Sequence, residues 1–210
     1  MVDKEVAKIL LKLKAVTLRI DPPYKWTSGI LAPIYTDNRI LISYPKEREK
    51  IIDYFLQLIR KNKVNFDVVA GTATAGIPWA AWIAEKLKKP MVYARKEAKG
   101  HGKENLIEGK LEKNSKVLVV EDLISTGGSS ISTINAVREA DCRVDFCVAI
   151  FTYKMKKADK NFKENKCRLF TLTDFNALVE VASETGYIKK EEKNVVLSWS
   201  KDPENWGKTL

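Results

Sequence analysis

Residues 117–130 read VLVVEDLISTGGSS, and this run constrains the fold more than any other part of the chain. Its four apolar residues, Val117 to Val120, predict a strand buried on both faces. Two carboxylates, Glu121 and Asp122, stand where that strand ends, and small residues from Ser125 to Ser130 turn the chain into a helix. Gly127 and Gly128 let successive backbone N–H groups converge on an anion with no Cβ in the way. The helix N-terminus adds partial positive charge, and the hydroxyls of Ser125, Thr126, Ser129 and Ser130 can donate as well. The segment is a phosphate cradle on physical grounds. Carboxylates beside a phosphate repel it, so Glu121 and Asp122 must address something else, either sugar hydroxyls or a magnesium ion.

The same plan repeats along the chain. Asp67–Ala70 predicts a strand, 71–76 a small-residue loop and 77–87 a helix, followed by a strand at Met91–Ala94 and a polar segment through Gly109. A helix runs from the loop after residue 124 to about Ala140, with further strands at Val144–Phe151 and Arg168–Leu172. Helices are expected over 3–14, from Pro45 onward with Ile51, Ile52, Phe55, Leu58 and Ile59 on one face, over 175–184, and near 190–200. Residues 17–44 read as loop with short strands. Strands alternating with helices predict an α/β fold with a central parallel sheet flanked by helices. Such sheets bind ligands at the carboxyl ends of their strands.

Thr72, Ala73 and Thr74, in DVVAGTATAG (67–76), can offer backbone N–H groups to a second anion. This segment is no P-loop, because Ile77 and Pro78 occupy the places of the required Lys and Ser/Thr. ARKEAKGHGKENLIEG (94–109) gathers Arg95, Lys96, Lys99 and Lys103 around His101, the one histidine of the chain, flanked by Gly100 and Gly102. A glycine-bordered cationic loop beside two anion cradles is suited to closing over a polyanion.

Two acids followed by TGG after an apolar strand resemble the signature of the type I phosphoribosyltransferases. The lid form RKxxKxHG, matched by Arg95, Lys96, Lys99, His101 and Gly102, narrows the resemblance to the orotate phosphoribosyltransferase family. So does WTSGILAPIYTDNR (26–39), similar to SGxxSPIYxDxR through Ser28, Gly29, Pro33, Ile34, Tyr35, Asp37 and Arg39. The tail, ending on DPENWG (202–207), also resembles that family.

The resemblance implies one phosphoribosyltransferase domain over 1–210, with residues 1–44 and 175–210 forming or flanking a base-binding hood. It implies that phosphoribosyl pyrophosphate (PRPP) is bound by Glu121, Asp122, Leu123, Ile124, Ser125, Thr126, Gly127, Gly128 and Ser129. There the 125–129 loop grips the 5-phosphate and the two acids face the ribose. Thr72 and Ala73 fall on the pyrophosphate loop, where relatives often hold a cis non-proline peptide, and Arg95, Lys96, Lys99 and His101 belong to the lid. Orotate is assigned to Ser125, Tyr35 and Lys154, the last being the cation nearest to an arginine that some relatives use for the orotate carboxylate. Glu121, Asp122, Lys99 and His101 are the expected catalytic groups. Magnesium is expected to arrive with PRPP, with no metal site in the protein itself, and a homodimer is implied in which the lid reaches the neighbouring site.

Composition limits the rivals. With 37 basic and 27 acidic residues the net charge is +10, which suits an anionic partner without choosing one. Basic residues are scattered (Lys154, Lys156, Lys157 and Lys160 read as a solvated face), with no aromatic-interleaved stripe for single-stranded nucleic acid. The sequence therefore predicts no nucleic-acid partner, in contrast to a non-catalytic PRPP sensor. The three cysteines make no CxxC pair, so reduced thiols are expected. No apolar run approaches the ~20 residues of a spanning helix, and MVDKEVAKILLKLKAV is no signal peptide. A cytoplasmic location without a membrane partner is the expectation.

Overall fold

Pro45 fixes the first turn of the helix it opens, and that helix carries one apolar stripe, Ile51, Ile52, Phe55, Leu56 and Ile59, all buried. Each such side chain contributes about 2 kcal/mol by leaving water. The computed structural model describes residues 2–96 and 106–208. In chain order the elements are α1 (Val2–Lys12), β1 (Val16–Leu18), β2 (Tyr24–Lys25), β3 (Leu31–Ala32), β4 (Ile34–Thr36) and, after a 3-10 turn at Asn38–Ser43, α2 (Pro45–Lys61). Then follow β5 (Val68–Thr72), α3 (Gly76–Leu87), β6 (Met91–Ala94), β7 (Ile107–Glu108), β8 (Lys116–Ile124), α4 (Gly128–Glu139) and β9 (Arg143–Thr152). The chain closes with α5 (Lys156–Glu164), β10 (Arg168–Asp174), α6 (Phe175–Glu184) and α7 (Glu192–Ser198).

Six strands form the main sheet in the order β10-β9-β8-β5-β6-β7. Pairing is parallel throughout except at the edge, where β7 runs antiparallel to β6 through Tyr93↔Glu108 and Ala94↔Ile107. The predicted α/β sheet is thus observed, with two additions. The two-residue β7 is too short to show a period, and α5 buries only Ala158 and Phe162 among lysines. One boundary differs instructively. Strand β8 continues past Val120 to Ile124, because its ladder with β9 persists to Ile124↔Thr152. Glu121 and Asp122 therefore lie inside a strand rather than beyond it. The three cysteines are free and buried; burial raises the Cys167 thiol to about 12, which keeps it protonated and unreactive.

Two short ribbons, β1–β4 and β2–β3, meet at Tyr24 and Tyr35, 5.7 Å apart, and the second is joined to the C-terminal segment by aromatic packing. Trp26 lies 5.2 Å from both Tyr153 and Trp199, and Trp199 contacts Tyr153 at 5.4 Å and Phe175 at 5.3 Å between ring centres. Trp199 Nε1 also donates to the Leu31 carbonyl at 3.2 Å. These contacts fix residues 24–36 over the carboxyl ends of β8 and β9.

Helix α3 meets β8 so closely that only glycine fits at its start. A Cβ at Gly76 would lie 2.4 Å from the Val120 carbonyl oxygen and 3.2 Å from Glu121 Cα. Gly76→Ala is expected to cost about 1–3 kcal/mol through backbone displacement, read as a lower Tm. An unchanged Tm would show that the helix can retreat freely.

Candidate active site

The carboxyl ends of β5 and β8 are neighbours in the sheet, so the loops that leave them share one cleft. At the end of β8 the chain passes Ser125 and Thr126, then Gly127 at φ +80°, and enters α4. The first hydrogen bond of α4 runs from Ile131 N–H to the Gly127 carbonyl at 2.9 Å, which leaves the amides of the preceding turn for an outside acceptor. The turn is held from below: Asn161 Nδ2 donates to the Thr126 carbonyl at 2.8 Å, and a Cβ at Gly127 would meet the Phe162 ring at 2.9 Å. The otherwise lysine-rich α5 thus shapes the phosphate loop from beneath. Ile124 is fully buried and its carbonyl accepts from the Tyr153 N–H at 3.1 Å, whereas Leu123 is half-buried and lines the cleft.

Glu121 is 4% exposed. Its carboxylate accepts from the Asp122 N–H at 3.1 Å, from Ser129 Oγ at 3.2 Å and from Ser130 Oγ at 3.4 Å. It thereby ties the strand to the first turn of α4. Burial, reinforced by the neighbouring Asp122 charge, holds its pKa well above the usual carboxylate range. Asp122 is also raised by burial, opposed by hydrogen bonding and by the charge of Arg39. Asn38 Nδ2 donates to the Asp122 carbonyl at 2.8 Å and is only 1% exposed. No motif marked Asn38; a lone asparagine in a turn carries no pattern that predicts burial.

At the end of β5 the peptide between Ala73 and Thr74 is cis. Ala73 N–H is donated to the Ala94 carbonyl at 2.9 Å, so this amide is already used. The donors left to an anion are those of Thr74 and the start of α3. Thr72 is buried, and its hydroxyl has no hydrogen-bond partner among the described residues. Arg95 lies just beyond β6, its N–H on the Leu106 carbonyl at 2.9 Å and its guanidinium 3.5 Å from Glu108; Lys96 beside it is exposed. Lys99 and His101 fall outside the described residues.

A cavity of about 340 Å³ opens between the ribbons and the phosphate loop, lined by Ser28, Tyr35, Leu123, Ser125 and Tyr153 among others. Tyr35 is 49% exposed and Tyr153 is buried. Ser125 is shared between this cavity and the phosphate loop, whereas Lys154 is not among the cavity's lining residues and sits 3.4 Å from Asp174.

A parallel sheet whose adjacent strands end in two small-residue anion loops, the second preceded by a paired Glu–Asp, defines a phosphoribosyl transferase domain, and the family model of that description matches residues 41–184. Orotate phosphoribosyltransferase of Coxiella burnetii is 54% identical over 202 residues, covering 96% of this chain and 97% of the relative. That of Listeria innocua is 48% identical over 207 residues, 99% of each chain. A crystal structure of orotate phosphoribosyltransferase from Aeropyrum pernix superposes with a TM-score of 0.75 at 29% identity, covering 87% of this chain and 99% of that one. The chain belongs to the orotate phosphoribosyltransferase family.

Proposed function

We propose that the protein transfers the 5-phosphoribosyl group of PRPP to orotate, giving orotidine 5′-monophosphate and pyrophosphate in new pyrimidine synthesis. The observation that carries this reading is the shared position of Ser125, which borders both the phosphate loop and the cavity under Tyr35. A base in that cavity lies beside the sugar whose phosphate the loop holds. Tyr35 offers an aromatic face to the ring, and the serine hydroxyls hydrogen-bond its edge.

Displacement at the anomeric carbon builds positive charge on the ribose. Asp122 holds the ribose hydroxyls and faces that charge, and Glu121 joins it by exchanging its bonds from Ser129 and Ser130 for ribose hydroxyls, while Arg95, Lys96, Lys99 and His101 neutralise the departing pyrophosphate together with the donors after Ala73. Positioning and electrostatics carry the catalysis, and no covalent nucleophile is required.

Magnesium fits this site as a passenger of PRPP. Glu121 already accepts three hydrogen bonds, and the described residues contain no cluster of three or more His, Cys, Asp or Glu able to hold a metal. Asp122 would be the carboxylate within its reach. Bound there, the ion would lower the charge of the leaving group. The working unit we infer is a homodimer in which residues 95–101 of one subunit serve the site of the other. Among the described residues no helix is long and apolar enough to cross a membrane, and a cytoplasmic setting fits the substrates.

Loss of orotate absorbance on mixing the protein with orotate, PRPP and magnesium tests the reading, with uracil, adenine and hypoxanthine in parallel. Consumption of orotate that needs both PRPP and magnesium is expected. Turnover of another base in place of orotate would overturn the assignment of the cavity.

A further inference from the structure

Serine hydroxyls and tyrosine rings recognise any pyrimidine edge or face; they do not distinguish a ring bearing a carboxylate from one without it. That distinction needs a cation within reach of the ring substituent. Among the residues lining the cavity under Tyr35, Lys25 alone carries a charge. We infer that Lys25 holds the carboxylate of the base and sets the preference for a carboxylated pyrimidine over an uncharged one. This deepens the reading given under the proposed function and rests on it.

Three observations support the assignment. First, the backbone at Lys25 is fixed. Lys25 pairs with Leu31 across the β2–β3 ribbon, and Trp26 N–H donates to the Ile30 carbonyl at 2.9 Å. The Trp26 ring is held against Tyr153 and Trp199, with its Nε1 donating to the Ile34 carbonyl at 3.2 Å. Second, the Lys25 ammonium is uncommitted. The chain is exposed there, and Lys25 makes no ion pair or side-chain hydrogen bond with any described residue. Third, three other cations of this part of the fold are engaged. Lys154 is 3.4 Å from Asp174, Arg39 makes a two-pronged contact with Asp37 at 2.7 and 2.9 Å, and Arg19 lies 4.4 Å from the centre of the Tyr24 ring. An anchored backbone with an unpaired charge at the cavity's edge can meet an incoming carboxylate without breaking an existing pair.

The test compares Lys25→Ala, Lys25→Arg and Lys154→Ala with the unaltered protein. KM for orotate, KM for PRPP and kcat are measured, together with binding of orotidine monophosphate against uridine monophosphate. Lys25→Ala is expected to raise KM for orotate about tenfold or more, with KM for PRPP unchanged, as one charge-assisted contact is lost. The preference for orotidine over uridine monophosphate should shrink by a similar factor, and Lys25→Arg should restore most of both. An unchanged orotate KM in Lys25→Ala, or a loss that appears in Lys154→Ala instead, would overturn the proposal while leaving the reaction in place. If the unaltered protein consumes no orotate, the reading beneath the proposal fails and the proposal with it.

Discussion

Asp122→Asn is expected to lower kcat by about a hundredfold or more, since it removes a fixed negative charge from the side of the ribose where positive charge develops. The amide keeps the shape and can still meet a hydroxyl, so binding of PRPP should change far less than turnover. Stability should move the other way. Burial raises the Asp122 pKa above its ordinary 3.8, which means that the folded state binds this proton more tightly than the unfolded chain does. That contribution is fully present below the unfolded value and is lost as pH rises through the folded one. The asparagine variant has no such loss, so its Tm should match or exceed that of the unaltered protein at neutral pH, with any advantage shrinking toward pH 4. Retained turnover would remove Asp122 from the mechanism, and a lower Tm at neutral pH would mean that its carboxylate stabilises the fold.

Lys99→Ala is expected to cut kcat by about two orders of magnitude or more through loss of a preorganised charge on the leaving pyrophosphate. The pair of variants also tests the dimer. Mixed and allowed to exchange subunits, Lys99→Ala and Asp122→Asn chains form heterodimers in which one site has an intact Asp122 and faces a partner with an intact lysine. If the cationic segment acts across the interface, a statistical mixture should regain about a quarter of the full activity from two nearly inactive parents. No recovery, with exchange verified by mass, would place the lysine in its own subunit's site.

Much of this site was legible because its chemistry is local. Gly127 needs a positive φ, small residues must follow a buried strand for an anion to approach, and both requirements are written in consecutive letters. The misses have physical causes too. Glu121 and Asp122 look like the polar stop of a strand, yet the parallel ladder with β9 decides where β8 ends, and ladder length is not a property of one segment. Helix α5 shows only Ala158 and Phe162 as an apolar stripe, so its lysines read as a solvated face although Phe162 supports the phosphate loop. Ala73 was expected to offer its amide to an anion, but a residue distant in sequence, Ala94, takes it. Lys25 and Lys154 differ in their neighbours rather than their identity, and neighbours are what the fold supplies.

Asn38 joins two regions that could otherwise diverge separately. Its side-chain amide is the hydrogen bond between the turn after residues 24–36 and the strand that carries the acidic pair. The segment that chooses the base is therefore docked onto the segment that handles the sugar through a backbone carbonyl, which any residue at position 122 would present. Such a coupling is shared: a sequence at 24–36 shaped to another heterocycle keeps its register with the sugar site if Asn38 is kept together with the contacts of Trp26 and Leu31 to Tyr153 and Trp199. A transplant of this kind has a defined boundary, drawn by one buried asparagine and the ring contacts around Trp199.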